Sequence, residues 1–301
     1  MKVYFDNVNF SSRSGPNSFA HRLANALVEN HEIDIVGKND DFDVNLCFIE
    51  PTIKVDKERK LVQRLDGIWF KPEEFETHNI NIKRAYDECN HVIWQTDFDK
   101  KMTTKWWGSR KGSVIHNGIE IKEPSVSFSM EKEEGSRFFV CSANWHRQKR
   151  LIENVKLYRK LRTKNDFLFV MGSNVDVQLR QDLREFYLGN LTHDQCLSVY
   201  RKSDWMIHLA WLDHCPNVVV ESLSQGCPVI CTDSGGTHEI VRDNGVIIPE
   251  DVLYNFELLD YDSPSKLSFN NIQELPKVNV EASYLDINLV AKRYFEVLKN
   301  A

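Results

Sequence analysis

Short apolar runs alternate with longer amphipathic stretches twice along this chain, and that restricts it to an α/β fold with mainly parallel sheets. Val3-Tyr4-Phe5 reads as a first strand. Residues 18–30 then set Phe19, Leu23, Ala26 and Leu27 at helical spacing, and 33–36 returns as a strand. Further strands are expected at 44–49, 61–65, 91–95 and 113–116, with helices at 82–89 and 98–107. A second series follows: strand 138–142, helix 151–162, strand 167–171, helix 177–186, helix 193–202, strand 205–210, helix 218–225, and strands 228–231 and 245–248. Between the two lies a polar stretch, 123–137, that includes Glu131-Lys132-Glu133-Glu134-Gly135 and has little to bury. The boundary is set there, giving domains 1–122 and 123–301, with the last helical pattern, 289–298, able to pack on either. A chain of 301 residues exceeds the usual size of one core, so two domains are the default. Doubly wound halves of this kind bind ligands beyond the carboxyl ends of their strands.

Composition narrows the class. Hydrophobic residues are 42% and charged residues 27%, and no apolar run approaches the roughly 20 residues that span a bilayer. The start, Met1-Lys2-Val3-Tyr4-Phe5-Asp6, runs directly into a strand without the features of a secretory signal. The expected location is therefore cytoplasmic, with peripheral membrane association left open. A net charge of −6 argues against broad affinity for nucleic acid. Seven scattered cysteines without a C-x-x-C pair read as buried thiols, and ten histidines show no zinc-ligand spacing, so no metal site is expected. The basic and aromatic cluster of Lys100, Lys101, Lys105, Trp106 and Trp107 reads as a helix with a solvated face and an aromatic face in the core. Asp97-Phe98-Asp99, the most suggestive D-x-D because it follows an expected strand, reads as a helix start.

The densest signal runs from Ser203 to Glu239. A strand ends at Ala210, a loop carries Asp213, and a helix opens around Pro216-Asn217-Val218, with proline favourable in the first turn and asparagine a good cap. Such a helix start offers unpaired N–H groups and the positive end of the dipole, which suits a diphosphate. Glu221 lies one turn inside that helix, within reach of a ribose diol beside the phosphates, while Asp213 precedes it and is placed to hold sugar hydroxyls. Ser234-Gly235-Gly236-Thr237 supplies a second tight turn whose glycines let backbone approach a ligand. Each piece alone is usually a cap, a turn or a solvated charge; the combination carries the signal.

This stretch resembles the donor-binding signature of the retaining family 4 glycosyltransferases: an acidic residue, seven residues, a glutamate, then G-x-P-V-I and a Gly-Gly-x-x-Glu turn. Here these are Asp213 and Glu221, Gly226-Cys227-Pro228-Val229-Ile230, and Gly235-Gly236-Thr237-His238-Glu239. Asn144-Trp145-His146-Arg147-Gln148-Lys149 resembles the family's phosphate-binding loop, with Lys149 at the lysine position, Asn144 at the usual arginine position and Arg147 three residues beyond. Ser14-Gly15-Pro16-Asn17 resembles the glycine-containing loop after strand one. Arg64-Leu65-Asp66-Gly67 and Asn117-Gly118-Ile119 resemble further first-domain landmarks, read as mainly structural, with Asp66 on the acceptor side.

The resemblance implies a GT-B fold, two Rossmann-like domains facing a cleft, and retaining sugar transfer without a metal. Asp213, Lys149 and Arg147 would act in catalysis. Gly15, Asn144, Pro216, Asn217, Val218, Glu221, Gly235 and Gly236 would hold the donor. No cofactor is implied; the substrate would be a nucleoside-diphosphate sugar, UDP- or GDP-linked first, and the acceptor a glycan, lipid-linked glycan, protein or modified nucleic acid. Two alternatives stay open: another GT-B enzyme, such as a sugar-nucleotide epimerase or a phosphorylase, and a non-catalytic sugar-nucleotide-binding relative.

Overall fold

The computed structural model describes residues 1–12, 14–54, 59–269, 272 and 274–301. These form two units, one of residues 1–120, 255–260 and 284–301, the other of 121–254 and 261–283.

The first unit is built on six parallel strands: β1 (Lys2–Asp6), β2 (Asp34–Val36), β3 (Val44–Phe48), β4 (Lys60–Leu65), β5 (His91–Trp94) and β6 (Gly112–Val114). Their order is β2-β1-β3-β4-β5-β6, so the winding reverses between β1 and β3. Helix α1 (Gly15–His31) buries Phe19, Leu23 and Leu27 against the sheet. Helices α2 (Pro72–His78), α3 (Ile80–Glu88) and α4 (Asp97–Trp107) follow. Helix α2 lay outside the sequence reading; Pro72 in its first turn starts it, and Phe75 is its buried anchor. Thr96 caps α4 by accepting a hydrogen bond from the Asp99 N–H, so the D-x-D pair is a helix start. The basic cluster on α4 keeps its aromatics in the fold. Trp106 packs on Phe75 and donates its indole N–H to the Phe256 carbonyl, and Trp107 packs on Tyr86.

The second unit has β7 (Phe138–Asn144), α5 (Leu151–Leu161), β8 (Phe167–Ser173), β9 (Glu185–Gly189), α6 (His193–Lys202), β10 (Trp205–His208), α7 (Asn217–Ser224), β11 (Val229–Thr232), α8 (Thr237–Val241) and β12 (Gly245–Ile248). Its six parallel strands run β12-β11-β10-β7-β8-β9, and the winding reverses between β7 and β10. Both are buried along nearly their whole length, as expected of central parallel strands.

The expected helix at 177–186 is replaced by an irregular segment, a short 3-10 turn at Gln181–Leu183 and strand β9. Val175, Val177 and Leu179 pack on the core with a period of two, that of extended chain. Arg184 takes a left-handed φ of 56°, which ends any helix there, and Glu185 is buried where Arg159 grips its carboxylate at 2.7 and 2.8 Å.

The last helix, α9 (Ile287–Asn300), belongs to the first unit. Ile287, Val290, Ala291, Tyr294 and Leu298 form one stripe at helical spacing, and Tyr294 meets Phe19 of α1. Gly118 is required beneath it, since a Cβ there would lie 2.8 Å from Val290.

Candidate functional site

The second unit reverses its winding between β7 and β10, and the loops after these two strands carry the charged residues singled out above. At the end of β7, Asn144 accepts hydrogen bonds from Ser173 and Asn174, both at 2.7 Å. It is thereby tied to the end of β8. The buried Trp145 ring anchors the next residue through its N–H to the Met171 carbonyl at 2.9 Å. The chain then turns through a 3-10 helix, Arg147–Lys149, and β10's loop docks on it by a 2.7 Å bond from Trp211 N–H to the Gln148 carbonyl.

This docking joins Lys149 to Asp213. The Lys149 Nζ lies 2.5 Å from Asp213 Oδ2, and His208 Nε2, on the last residue of β10, lies 3.2 Å from the same oxygen. The Lys149 and Asp213 side chains are 23% and 13% exposed, and that of His208 2%. Burial pushes the Asp213 carboxyl up. The Lys149 charge and the His208 hydrogen bond outweigh it and hold the group well below the usual carboxylate range. Burial pushes the His208 imidazole down, against the pull of Asp213 and with the push of Lys149. A neutral ring with its proton on Nε2, donated to Asp213, fits both directions.

Gly235 and Gly236 close the other side of this loop. Gly236 N–H donates to the Asp213 carbonyl at 2.7 Å. A Cβ at Gly235, whose φ is 68°, would lie 2.4 Å from that same carbonyl oxygen. The glycine is therefore demanded by the protein's own backbone as well as by any ligand. Ser234 Oγ accepts from Leu212 N–H at 3.4 Å and donates to the buried Glu250 at 3.0 Å. Glu250 in turn grips Arg150 through contacts of 2.6 and 3.0 Å.

Downstream of Asp213, Pro216 is the cap residue of α7 and Asn217 its first helical residue, with no side-chain cap bond. Asn217 is thus not the cap the sequence suggested. The first intrahelical bonds run from Val219 and Val220 to the Pro216 carbonyl, so the amides of Asn217 and Val218 precede the ladder. Glu221, one turn on, is 12% exposed and sits 3.4 Å from His193 Nε2 at the start of α6.

Arg147 is exposed. It lines a cleft of about 350 Å³ with Trp145, Ile152, Glu153, Asp176 and Asp262. The remaining two residues belong to the first unit. Gly15 is the first residue of α1, and Asp66 follows β4, where it pairs with the buried Arg64, which also bonds Asn117 at 2.7 Å.

Sequence reasoning missed His208, Arg150 and Glu250. A histidine inside an apolar strand, Trp205-Met206-Ile207-His208-Leu209, must find a buried partner, and that was a readable signal. Arg150 follows Lys149 in a run of basic residues that gives no sign of burial, yet it is 2% exposed. Nothing in the sequence marks Glu250 as its partner. Among the described residues, no group of three or more His, Cys, Asp or Glu is arranged to hold a metal ion, and no helix is long and apolar enough to cross a membrane.

Residues 123–252 match the family model described as glycosyl transferases group 1. No curated protein sequence matches the chain. Several solved structures share the fold. Anabaena HepE in complex with UDP has a TM-score of 0.68 at 15% identity, covering 100% of both chains, and was also solved with UDP-glucose. AviGT4, a glycosyltransferase involved in avilamycin A biosynthesis, has a TM-score of 0.63 at 13% identity, covering 100% of this chain and 97% of that one. WaaG, a glycosyltransferase involved in lipopolysaccharide biosynthesis, has a TM-score of 0.58 at 12% identity, covering 83% and 86%.

Proposed function

We propose that the chain, whose residues 123–252 match the family model described as glycosyl transferases group 1, is a glycosyltransferase that transfers sugar from a nucleoside-diphosphate sugar with retention and without a metal. The observation that carries the reading is the Lys149–Asp213 pair, held at 2.5 Å in the loops at the reversal point, just ahead of α7. Lys149 and the first amides of α7 meet the diphosphate, Asp213 holds sugar hydroxyls, and Glu221 takes the ribose diol. In the chemical step the bond from the anomeric carbon to the phosphate oxygen breaks and its electron pair leaves with the diphosphate. The acceptor oxygen bonds the same face of that carbon and passes its proton to the departing phosphate. Fixed positive charge at the leaving group is the main source of rate. The uridine donor is favoured over guanosine by the HepE complexes with UDP and UDP-glucose.

The decisive test is a thermal-shift screen over UDP-, GDP- and ADP-sugars, followed by transfer to candidate glycans with and without EDTA. A donor at 100 times its Kd stabilises the fold by about 2.7 kcal/mol. UDP release that requires an acceptor and survives EDTA is expected. UDP release without net transfer would favour a sugar-nucleotide epimerase, cleavage of a glycan by inorganic phosphate without UDP release a phosphorylase, and complete EDTA loss with manganese rescue would overturn the metal-free site.

Two substitutions separate the roles. Glu221→Ala should weaken UDP and UDP-sugar binding alike, by about ten- to hundredfold, the worth of a charge-assisted hydrogen bond. Calorimetry showing unchanged UDP affinity in a folded variant removes Glu221 from the site. Asp213→Asn should lower transfer about ten- to hundredfold while leaving UDP affinity unchanged or tighter, because Lys149 is released from its carboxylate partner. Equal losses in rate and UDP affinity would reduce Asp213 to a loop-shaping residue.

A further inference from the structure

We propose that His208 is a positioning residue for transfer, holding the Asp213 carboxylate in register once the donor diphosphate draws Lys149 away; this rests on the role given to Asp213 above. Asp213 stands on a loop whose neighbour Leu212 has a φ of 54°, and its side chain is bound through one oxygen. Lys149 and His208 both converge on Oδ2, while among the described residues no bond reaches Oδ1. The side chain therefore keeps one oxygen for a substrate hydroxyl.

The two anchors differ in kind. Lys149 is a flexible ammonium on a 3-10 turn, 23% exposed, and a diphosphate offers it more negative charge than one carboxylate. His208 ends β10, a strand hydrogen-bonded on both sides, with its backbone in register opposite Cys231 of β11. Its side chain is 2% exposed, so it touches no substrate and acts through Asp213 alone. When Lys149 turns to the diphosphate, a largely buried carboxylate without a second donor would be costly and free to swing. The neutral imidazole supplies that donor from the rigid part of the fold. Its neutrality also matters, because an imidazolium would cancel the charge that Asp213 offers to the developing positive anomeric centre.

The test compares His208→Gln with His208→Asn, which match in polarity but differ in reach: the glutamine amide extends to the place of Nε2, the asparagine amide only to that of Nδ1. With UDP-glucose as donor, hydrolysis and transfer rates, KM, UDP affinity by calorimetry and Tm are read for each, beside Asp213→Asn. His208→Asn should lose about tenfold or more in kcat, with UDP affinity within about twofold of the parent, and His208→Gln should recover to within about threefold. A folded His208→Asn as fast as His208→Gln would overturn the proposal, as would losses in kcat and UDP affinity that merely track Tm in both variants. If His208→Asn does not fold, His208→Gln decides: a kcat as low as that of Asp213→Asn at parental Tm overturns the proposal. Full activity in Asp213→Asn is a different failure, since it removes the role of Asp213. An impaired Asp213→Asn beside an unimpaired His208→Asn removes only the role of His208.

Discussion

Replacing Lys149 by methionine is expected to lower kcat/KM for nucleotide-sugar transfer by about 10²–10³, the loss typical of removing one fixed group that stabilises charge in a transition state. Methionine keeps the length and apolar stem, so the 3-10 turn and its docking bond from Trp211 to Gln148 remain and the change isolates the ammonium. UDP affinity should also fall, because the diphosphate product carries the charge that the transition state develops. Stability should change as well. The Asp213 side chain, 13% exposed, keeps only His208 as a donor, and a buried acceptor stripped of a charged partner costs about 1–3 kcal/mol.

That cost has a pH signature with a definite sign. In the parent, the Asp213 pKa is depressed, chiefly by Lys149 against burial. A depressed carboxyl contributes stability above its unfolded value, near 3.9, and loses it as pH falls through the folded value. In Lys149→Met the carboxyl rises toward or above its ordinary value, so this share of the acid-side loss of stability should shrink. Adding Asp213→Asn to Lys149→Met should restore much of the Tm while leaving transfer lost, a non-additivity that a double-mutant cycle reads directly. If Lys149→Met retained more than about a third of the parental kcat/KM, the diphosphate would have to be met by other cations, Arg147 first, and the site would need redrawing around the cleft that Arg147 lines.

Much of this was legible in the sequence because strong local patterns agreed with the tertiary structure. Phe138-Phe139-Val140-Cys141 could be nothing but a buried strand, and the spacing of Asp213, Glu221 and Gly235-Gly236 survives folding because one β-α-β unit carries all three. Misreadings occurred where a tertiary partner set the outcome. At 177–186 the apolar residues fit a helix as well as extended chain, and the observed strand β9 begins at Glu185, whose carboxylate is paired with Arg159 of α5, a partner the local sequence does not report. Asn217 has a good capping side chain, but Pro216 precedes it with φ −67° and ψ 116° and takes the cap position, and the helix begins one residue earlier than the cap rule suggests. The glycines of the Ser234-Gly235-Gly236 turn were assigned to a ligand. They first accommodate Asp213's own backbone, a contact between chain segments 22 residues apart that no local rule reports. Arg150 and Glu250, a hundred residues apart, left no joint trace at all.

Because that pair is buried, a substitution at Arg150, next to Lys149 in the chain, should do heavy damage to the fold. Its guanidinium is 1% exposed, bonded to both oxygens of a carboxylate that is 2% exposed, and it also donates to the Ser265 carbonyl at 2.9 Å. Arg150→Met removes one partner of a buried pair and leaves Glu250 charged in an apolar interior, which costs about 3–5 kcal/mol. The pair itself is worth far less than that, since its attraction is offset by the desolvation of both ions, and Arg150 Nε is buried without a hydrogen-bond partner. Arg150→Met combined with Glu250→Leu should therefore recover most of the loss. Urea titrations of the parent, the single and the double variant, followed through the unfolding of the second unit, check this, with the midpoint moving while the slope stays fixed. The double variant should nevertheless remain slow in transfer. Glu250 also receives Ser234 Oγ, Ser234 receives Leu212 N–H, and Gly236 holds the Asp213 carbonyl, so the turn that shapes the Asp213 loop loses its buried tether. Recovery of both stability and rate in the double variant would show the loop to be held by its glycine contacts alone, while failure to recover stability would mean that the pair contributes net attraction beyond its desolvation cost.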